Sequence, residues 1–461
     1  MRYLALAARG AAPTSPGPHG QAQVLLAIVR LELGRQRGNL AAVADEARRL
    51  RAMAEAPEMV LPGLGEDLRG LGLISLGITE VWAAGFEDAG PHLGQGVMLA
   101  HRTGRPFLEF TGLAYQAVIS LTHSSYAEAA ERSRQVIELA QRHGWTDEPP
   151  AGIAYAVLGA TLAWRGRPEE AEPWMQQAER TLRTEADPAA VAGLSYVRGV
   201  IELARGRDAD ALAALQTAER LAGRLAAPHY LLAPTRALHL HALIRLGETE
   251  RAEQALAGLG EQDRERGEIR IAVAALRLTQ DDPRAATVAL APVLEGAAPL
   301  VRRTWPAAAF LLEAIARDAL GDEAAAGRAL ERALELAEPE GALWYFLLRP
   351  APDLFERQAR QRTAHASLIA EIRSLLAARL ASPPGELRPL REPLTDSEVR
   401  VLRYLPTNLS APEIASELSI SWNTVKTHMR NLYTKLGTHR RAEAVERARA
   451  LGLLAPSPRR R

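Results

Sequence analysis

Cysteine is absent from this chain of 461 residues. Its absence excludes disulfide bonds and metal sites that use thiolate ligands. Long apolar runs are absent as well, since no stretch reaches the roughly eighteen residues that a membrane-spanning helix needs. The start, residues 1–9, contains only a very short apolar run, and no clear cleavage site follows it, which argues against an export signal. We therefore expect a cytoplasmic protein with no membrane partner.

Lysine is almost absent. The chain has two, Lys426 and Lys435, and both lie near its C-terminus. A P-loop requires Gly-x-x-x-x-Gly-Lys-Ser/Thr, with the lysine on the phosphates. No lysine precedes Lys426, so this sequence contains no P-loop, and no Ser/His/Asp set, metal-ligand spacing or glycine-rich phosphate loop stands out. We predict that the protein is not an enzyme and has no catalytic residues, no metal site and no cofactor.

The net charge of the chain is close to zero, at +1, but it is unevenly distributed. From residue 391 to the end there are 13 Lys/Arg and 7 Asp/Glu, which gives +6, and the remainder holds 43 and 48, which gives −5. A basic C-terminal segment on a slightly acidic body fits a nucleic-acid reader that is attached to another domain.

Three helix starts are marked in the basic segment. Thr395 with Glu398, and Ser410 with Glu413, have the spacing of capping boxes, and Ser421 is a third N-cap. Each opens a run with helical apolar periodicity, and Gly437 suits a left-handed C-cap after the third. The expected buried faces are Val399, Leu402 and Leu405; Ile414, Ala415 and Leu418; and Val425, Leu432 and Leu436.

Only Ser419 and Ile420 separate the second helix from the third, so the two must cross steeply, as in a helix-turn-helix. The other face of the third helix is polar and fits the major groove of DNA. Lys426 and Arg430 can donate to guanine, and Thr427 can offer its methyl to thymine. The alternative is that this polar face is simply exposed to solvent and has no binding role. The predicted DNA-binding residues are Ser421, Asn423 and Thr424 on phosphate, together with Lys426, Thr427, Arg430, Thr434 and Lys435.

This segment resembles the DNA-binding domain of the LuxR family of bacterial transcription regulators. The resemblance implies that the third helix reads bases and that a fourth helix, residues 441–451, forms a dimer contact, here through Ala444, Val445 and Ala448. Departures from the family pattern are Asn408, Thr438 and the bulky Trp422. The matching residues are Leu394-Thr395, Glu398-Val399, Glu413-Ile414-Ala415, Leu418, Ser421, Thr424-Val425-Lys426, His428, Lys435-Leu436-Gly437, Arg441 and Glu443-Ala444-Val445.

The rest of the chain carries a repeat, in which a turn-forming or small residue is followed five positions later by a small apolar residue. The turn positions are 46, 40, 42, 40, 41, 34 and 40 residues apart. An apolar helix precedes each turn and a more polar helix follows it, which is typical of an all-α solenoid of helical hairpins. The pairs are Gly38/Val43, Ala84/Ala89, Ser124/Ala129, Gly166/Ala171, Gly206/Ala211, Gly247/Ala252, Asp281/Ala286 and Gly321/Ala326.

The repeat resembles a tetratricopeptide (TPR) array, although its period is longer than the usual 34 residues, and it is more similar to the helical repeats of MalT-like regulators. These large ATP-binding regulators of the LuxR type place an NTPase first, helical repeats second and a LuxR-type domain last. The resemblance covers the second and third parts. On this reading the sequence is the C-terminal half of such a regulator, either a truncated product or a chain begun at an internal methionine.

The tryptophans of the repeat region admit two interpretations. Trp82, Trp164 and Trp174 lie near helix ends or hairpin cores, where packing between repeats explains them best. Trp145 follows a helix in a loop between repeats, so it is a candidate for contact with a ligand or partner. The acidic pair Glu169-Glu170 fits a solvated helix start rather than an acid/base site.

Four segments are predicted: a TPR-like helical repeat domain at 1–380, a proline-rich linker at 381–393, a LuxR-type helix-turn-helix domain at 394–455 and a basic tail at 456–461. We expect a sequence-specific transcription regulator that binds double-stranded DNA as a homodimer, with a small-molecule or protein effector on the solenoid. The alternative is a protein–protein adaptor whose terminal domain binds DNA weakly. The missing P-loop lysine argues against an ATPase remnant, and the helical repeats argue against a receiver-type response regulator.

Overall fold

The computed structural model describes residues 25–31, 33–34, 46, 66–182, 188–225, 229–360, 363–381, 394–407, 409–418, 420–436, 441, 444–445, 448 and 453, without the side chains of 378–381, 396 and 434. The chain forms two compact units, Met1–Leu375 and Leu376–Arg461. Predicted features outside the described residues are the pair Gly38/Val43, most of the linker, Asn408, the Gly437 C-cap, Thr438 and the tail.

The described residues of the first unit are mainly helical and contain no strand. Several helices begin at a proline, whose fixed φ suits the first helical position. Consecutive helices pack as hairpins, which confirms the predicted all-α repeat. In chain order they are α1 Glu66–Trp82, α2 Phe86–Arg102, α3 Pro106–Thr122, α4 Tyr126–His143, α5 Pro149–Trp164, α6 Pro168–Thr181, α7 Pro188–Arg205, α8 Asp208–Ala222, α9 Leu232–Arg245, α10 Thr249–Ala257, α11 Glu261–Arg264, α12 Gly267–Thr279, α13 Pro283–Leu294, α14 Trp305–Ala319, α15 Glu323–Ala337, the 3₁₀ turn Glu338–Glu340, α16 Trp344–Leu348, α17 Pro352–Arg360 and α18 Ala366–Ala381.

The described turn positions share one backbone conformation. At Gly166 the amide donates to the carbonyl of Ala163 at 3.0 Å, and the next amide, of Arg167, donates to Leu162 at 2.9 Å, which closes the end of α5. This closure requires a left-handed residue, and the repeat pattern marks where each one lies. The φ angles lie between 61° and 79° at Ala84, Ser124, Gly166, Gly206, Gly247, Asp281 and Gly321.

The alanines five residues after each turn are buried. A methyl side chain at this position lets the two helices of a hairpin approach closely, and a larger group would hold them apart. The recurring pair of turn residue and alanine is therefore a packing rule of the fold. At most 1% of the surface is exposed at Ala89, Ala129, Ala171, Ala211, Ala252, Ala286 and Ala326.

A buried polar network connects repeats that are far apart in sequence. The Thr304 hydroxyl lies 3.2 Å from each of three other hydroxyls, those of Ser124, Tyr126 and Tyr345. The indole of Trp344 donates to the Val200 carbonyl at 2.9 Å. Repeats of a simple solenoid contact only their neighbours, so these bonds add long-range closure to the first unit.

Arg302 brings a buried positive charge into the same interior. It is 3% exposed, its Nη1 donates to the Leu121 carbonyl at 2.6 Å, and its guanidinium carbon lies 5.1 Å from the centre of the Trp164 ring. The loop before α14, which carries Arg302 and Thr304, is also fixed by Glu268, whose carboxylate accepts the Val301 amide at 2.6 Å. This loop therefore joins the α3–α4 turn to the C-terminal part of the unit.

The four tryptophans discussed for the repeat region are all buried or half-buried. Trp82 is 4% exposed and Trp164 is fully buried, whereas Trp174 is half-buried beside Tyr155. Trp145 is half-buried too; its ring stacks on His143 at 4.4 Å and forms a T-shaped contact with Phe107 at 5.1 Å between ring centres. These contacts pack Trp145 against α3 and the end of α4.

After the last residues of α18, the described part of the second unit contains three helices, α19 Asp396–Tyr404, α20 Ala411–Leu418 and α21 Trp422–Leu436. Two small apolar clusters hold them together, and Met429 of α21 packs against both. One cluster joins α21 to α19 and to Ala444, Val445 and Ala448, and the other joins it to α19 and α20. The longest helix of the three is thereby fixed along its apolar side.

Candidate nucleic-acid interface

The helix starts of the second unit follow the predicted caps, with one difference. The Thr395 amide donates to Glu398 Oε2 at 2.8 Å and the Glu398 amide donates to Thr395 Oγ1 at 3.3 Å, so the capping box is present. Ser421 Oγ accepts the Thr424 amide at 3.1 Å and caps α21. At Ser410 the box is incomplete, because the hydroxyl donates to Glu413 Oε2 at 2.6 Å instead of accepting a backbone amide.

The buried faces of α20 and α21 are those predicted, but α19 differs by part of a turn. Ile414, Ala415 and Leu418 are buried, and so are Val425, Leu432 and Leu436. On α19 the fully buried valine is Val401, whereas Val399 is half-buried. The prediction for Val399 is wrong because α19 supplies residues to two separate apolar clusters, Leu402 and Leu405 to one and Val401 to the other, which a single apolar stripe does not show.

Lys435 forms an ion pair inside the unit. Its Nζ lies 2.9 Å from Glu398 Oε2, and the two side chains are 18% and 4% exposed. Burial by itself would raise the pKa of the Glu398 carboxyl, but the bonds from Lys435 and Thr395 bring that pKa below its usual value. The pair fastens the C-terminal part of α21 to the start of α19. The prediction that Lys435 contacts DNA stays untested.

Arg441 has a structural role that its neighbours in the sequence do not reveal. Its guanidinium donates to the carbonyls of Leu405, Tyr404 and Thr407 at 2.9, 3.0 and 2.9 Å, and also to the carbonyl of Leu409. These carbonyls lie at and just after the end of α19, where a helix leaves acceptors unsatisfied. The five donors of one guanidinium suit such a cluster, and its position within the matched LuxR motif was the available clue.

The outer face of α21 carries the predicted polar row. Asn423, Lys426, Thr427 and Arg430 are exposed, on the side opposite the buried Val425. The Thr427 hydroxyl donates to the Asn423 carbonyl at 3.0 Å. Ser421 and Thr424 are exposed at the N-terminus of the helix, and the Thr434 side chain lies outside the described residues. The structure thus brings the described members of the predicted set onto one accessible surface, apart from Lys435.

The residues predicted for dimer contact face inward. Ala444 and Ala448 have no exposed surface and Val445 is 7% exposed, and all three pack in the cluster that contains Leu402 and Leu432. Most other residues of the predicted fourth helix, 441–451, lie outside the described ones. Because these three side chains complete the unit's own core, a dimer contact would have to use other residues.

The part of the chain that the structure describes contains no cluster of three or more His, Cys, Asp or Glu side chains that could hold a metal ion. None of its helices combines the length and the hydrophobicity that crossing a bilayer requires.

Two protein-family models match the chain, one in the repeat region and one in the C-terminal domain. The model for the MalT-like TPR region matches residues 32–355. The chain belongs to the MalT-like TPR family. A second model, described as bacterial regulatory proteins of the luxR family, matches residues 392–448 and so contains α19, α20 and α21. The resemblance drawn from the sequence is confirmed for the repeat region and for the terminal domain.

Curated relatives of this MalT-like chain match only part of it. It is 42% identical over 105 residues to a nitrate/nitrite response regulator protein homolog of Haemophilus influenzae, which covers 23% of this chain and 48% of that protein. It is 31% identical over 147 residues to the HTH-type transcriptional regulator MalT of Yersinia pestis, which covers 27% of this chain and 16% of that protein. The chain therefore spans less than half the length of either relative.

The fold of the repeat region also has a counterpart among solved structures. A Rap protein, crystallised in complex with competence and sporulation factor, aligns with a TM-score of 0.53 over 74% of this chain and 91% of that one. Sequence identity is 13%, so the likeness concerns the fold alone. It agrees with a TPR-like array of helical hairpins.

Proposed function

We propose that this chain is a transcription regulator that binds double-stranded DNA in a sequence-specific manner through α21. The carrying observation is the exposed row of Asn423, Lys426, Thr427 and Arg430 on a helix whose opposite side is buried. A helix fixed in this way can enter a major groove with its polar side chains toward the base edges. The two curated relatives, both named as regulators, support the same role.

The charge distribution supports binding to nucleic acid. Residues 391–461 carry a net charge of +6. Ser421 and Thr424 lie at the N-terminus of α21, where free amides and the helix dipole favour a phosphate group. Phosphate contacts would set the register of the helix, and Lys426 and Arg430 would then read bases.

Regulation is proposed to come from the repeat region, through a small-molecule or protein effector. An open pocket of about 420 Å³ lies among Arg165, Glu340, Gly341 and Glu371, and its walls carry charges of both signs. A polar molecule would find donors and acceptors there. Removing residues 1–380 is expected to alter regulated DNA binding; unchanged affinity, oligomeric state and promoter output would contradict this part of the proposal.

A homodimer on DNA is proposed from the family resemblance. Since Ala444, Val445 and Ala448 are buried within the unit, the contact would involve other residues. A two-fold-related binding site would support the dimer, and its half-site spacing would give the geometry. A single, asymmetric site would argue for a monomer.

The deciding experiment is selection from a randomised DNA pool with the purified full chain, followed by binding at several salt concentrations. Lys426→Ala and Arg430→Ala are expected to relax the base preference and weaken binding to the selected site. Arg400→Ala is the matched control, because it removes one exposed cation from α19 rather than α21. It should change affinity with no change in preference.

The alternative function is a protein–protein adaptor with a solenoid that recruits partners and a terminal domain that binds DNA weakly. Enrichment of no site, with weak binding that disappears as salt rises, would favour this alternative. The exposed polar row on α21 favours the regulator.

A further inference from the structure

Trp422 differs from every other tryptophan of the chain in its exposure. It is the first residue of α21 and is 50% exposed. All seven tryptophans lie within the described residues, and burying an indole is strongly favourable. Its position on the surface therefore points to a contact outside the core. The six others are buried or half-buried: Trp82, Trp145, Trp164, Trp174, Trp305 and Trp344.

The Trp422 ring has a specific neighbour. Lys426 lies one turn later, and its Nζ is 5.4 Å from the centre of the ring, within the range of a cation–π contact. Helical side chains lean toward the N-terminus of their helix, which carries the lysine stem back toward Trp422. Among the described residues no carboxylate forms an ion pair with Lys426, so the indole is the group that orients its ammonium.

Thr427, the next residue, is oriented in the same direction. Its hydroxyl donates to the carbonyl of Asn423, also one turn earlier. Two consecutive residues of the exposed row are therefore each tied to a residue four positions before them. Their side chains have fixed directions before any DNA arrives, which reduces the conformational freedom lost on binding.

We propose that Trp422 is a positioning residue for Lys426 in sequence recognition, an inference that rests on the DNA-binding function proposed above. The indole holds the ammonium over its face and directs it toward the N-terminal end of α21. Lysine donates as a flexible point charge and can reach a guanine edge or a phosphate. Holding it on one side selects the base contact over phosphate contacts that carry no sequence information.

The composition of the chain allows a direct test of the contact without DNA. Lys426 and Lys435 are its two lysines, so acylation of the full chain with an amine-reactive ester reports on each by mass spectrometry. Lys435, held by Glu398, is the internal reference. In Trp422→Ala, Lys426 is expected to react about two- to fivefold faster relative to Lys435, the range that a surface cation–π contact supports. Trp422→Phe should lie between wild type and Trp422→Ala. An unchanged ratio in Trp422→Ala would overturn the proposal.

The second arm measures recognition with a double-mutant cycle on the site that the wild-type chain selects. Trp422→Ala should weaken binding to that site about two- to fivefold and leave binding to random DNA unchanged. In a Lys426→Ala background the same substitution should have no further effect, since the residue acts through the lysine. Equal losses in both backgrounds would show that Trp422 contacts DNA by itself and would overturn the positioning role.

The two arms separate this proposal from the proposed function. A wild-type chain that enriches no site would overturn DNA recognition, and with it the recognition role of Trp422, whatever the labelling shows. A wild-type chain that enriches a site, with Lys426 labelling or base preference unaffected by Trp422→Ala, would overturn only the present inference.

Discussion

The left-handed turn positions of the repeat region allow a prediction in which the structure isolates one physical cause. At Gly247 and Gly321 φ is 73° and 79°, and a Cβ added at either position would meet no atom within 4 Å. Alanine at these positions would therefore change backbone energy without creating a clash. Ala84 offers the reverse experiment, because it is an exposed non-glycine residue at φ 63°.

The expected magnitude follows from two opposing terms. A left-handed conformation costs an L-residue about 1–2 kcal/mol relative to glycine. Alanine also restricts the unfolded chain, which returns about 0.4–1 kcal/mol. Gly247→Ala and Gly321→Ala should each destabilise the unit by about 1 kcal/mol, and Ala84→Gly should stabilise it by a similar amount. Gly166→Ala should cost more, because its Cβ would lie 3.1 Å from Leu375 Cδ1 and 3.2 Å from Leu343 Cβ.

The assay is urea unfolding of the four variants and the wild type, monitored by far-UV circular dichroism. Midpoints report the change in stability where the m-values agree. The expected order of midpoints is Ala84→Gly, wild type, Gly247→Ala together with Gly321→Ala, and then Gly166→Ala. A neutral or stabilising Gly247→Ala would refute the reasoning, since nothing but the backbone conformation distinguishes that variant.

Three further predictions concern buried polar groups. Thr304→Val removes the hydroxyl that lies near those of Ser124, Tyr126 and Tyr345, and should lower the free energy of unfolding by about 1–3 kcal/mol, measured by calorimetry or denaturant. Thr217→Val is the control, because the Thr217 hydroxyl bonds near the surface, and it should lower the free energy of unfolding less. Equal losses would contradict a stabilising role of the network. Burial, and then the charges of Arg349 and Arg245, lowers the pKa of His241 from 6.5 to about 3. The stability contributed by the neutral His241 side chain is fully present above pH 6.5 and is lost as pH falls toward 3, because the unfolded chain binds the proton first. His241→Gln should therefore reduce the drop in the urea midpoint between pH 7 and pH 5. A drop as large as that of the wild type would contradict this prediction. The pKa of Glu398 lies below its ordinary 4.5. The stability contributed by its carboxylate is therefore present above pH 4.5 and is lost as pH falls through the lowered value. Glu398→Gln should speed hydrogen exchange in α19 and α21 at pH 7, and the difference from the wild type should shrink at low pH.

Features formed by residues that are close together in the sequence could be predicted, and features formed by distant residues could not. The turn residues and buried alanines of the repeat, the Thr395–Glu398 capping box and the Ser421 cap all depend on groups within about five residues, so local spacing predicts them. The same holds for the exposed row on α21, which follows from helical periodicity. Val399 was mispredicted because α19 supplies residues to two separate apolar clusters, and the second is formed by residues distant in sequence.

Sequence alone determined that this chain is an all-α repeat followed by a capped helix-turn-helix segment whose last described helix has an exposed, polar face with basic residues. Only the tertiary structure decided which polar groups meet. Thr304 joins hydroxyls up to 180 residues away, Arg441 caps the end of α19 from more than 30 residues downstream, and Ala444 and Ala448 are used in the core. The physical reason is that hydrogen bonds and packing act over a few ångströms in space, and chain separation carries no information about which distant residues a fold brings within that range.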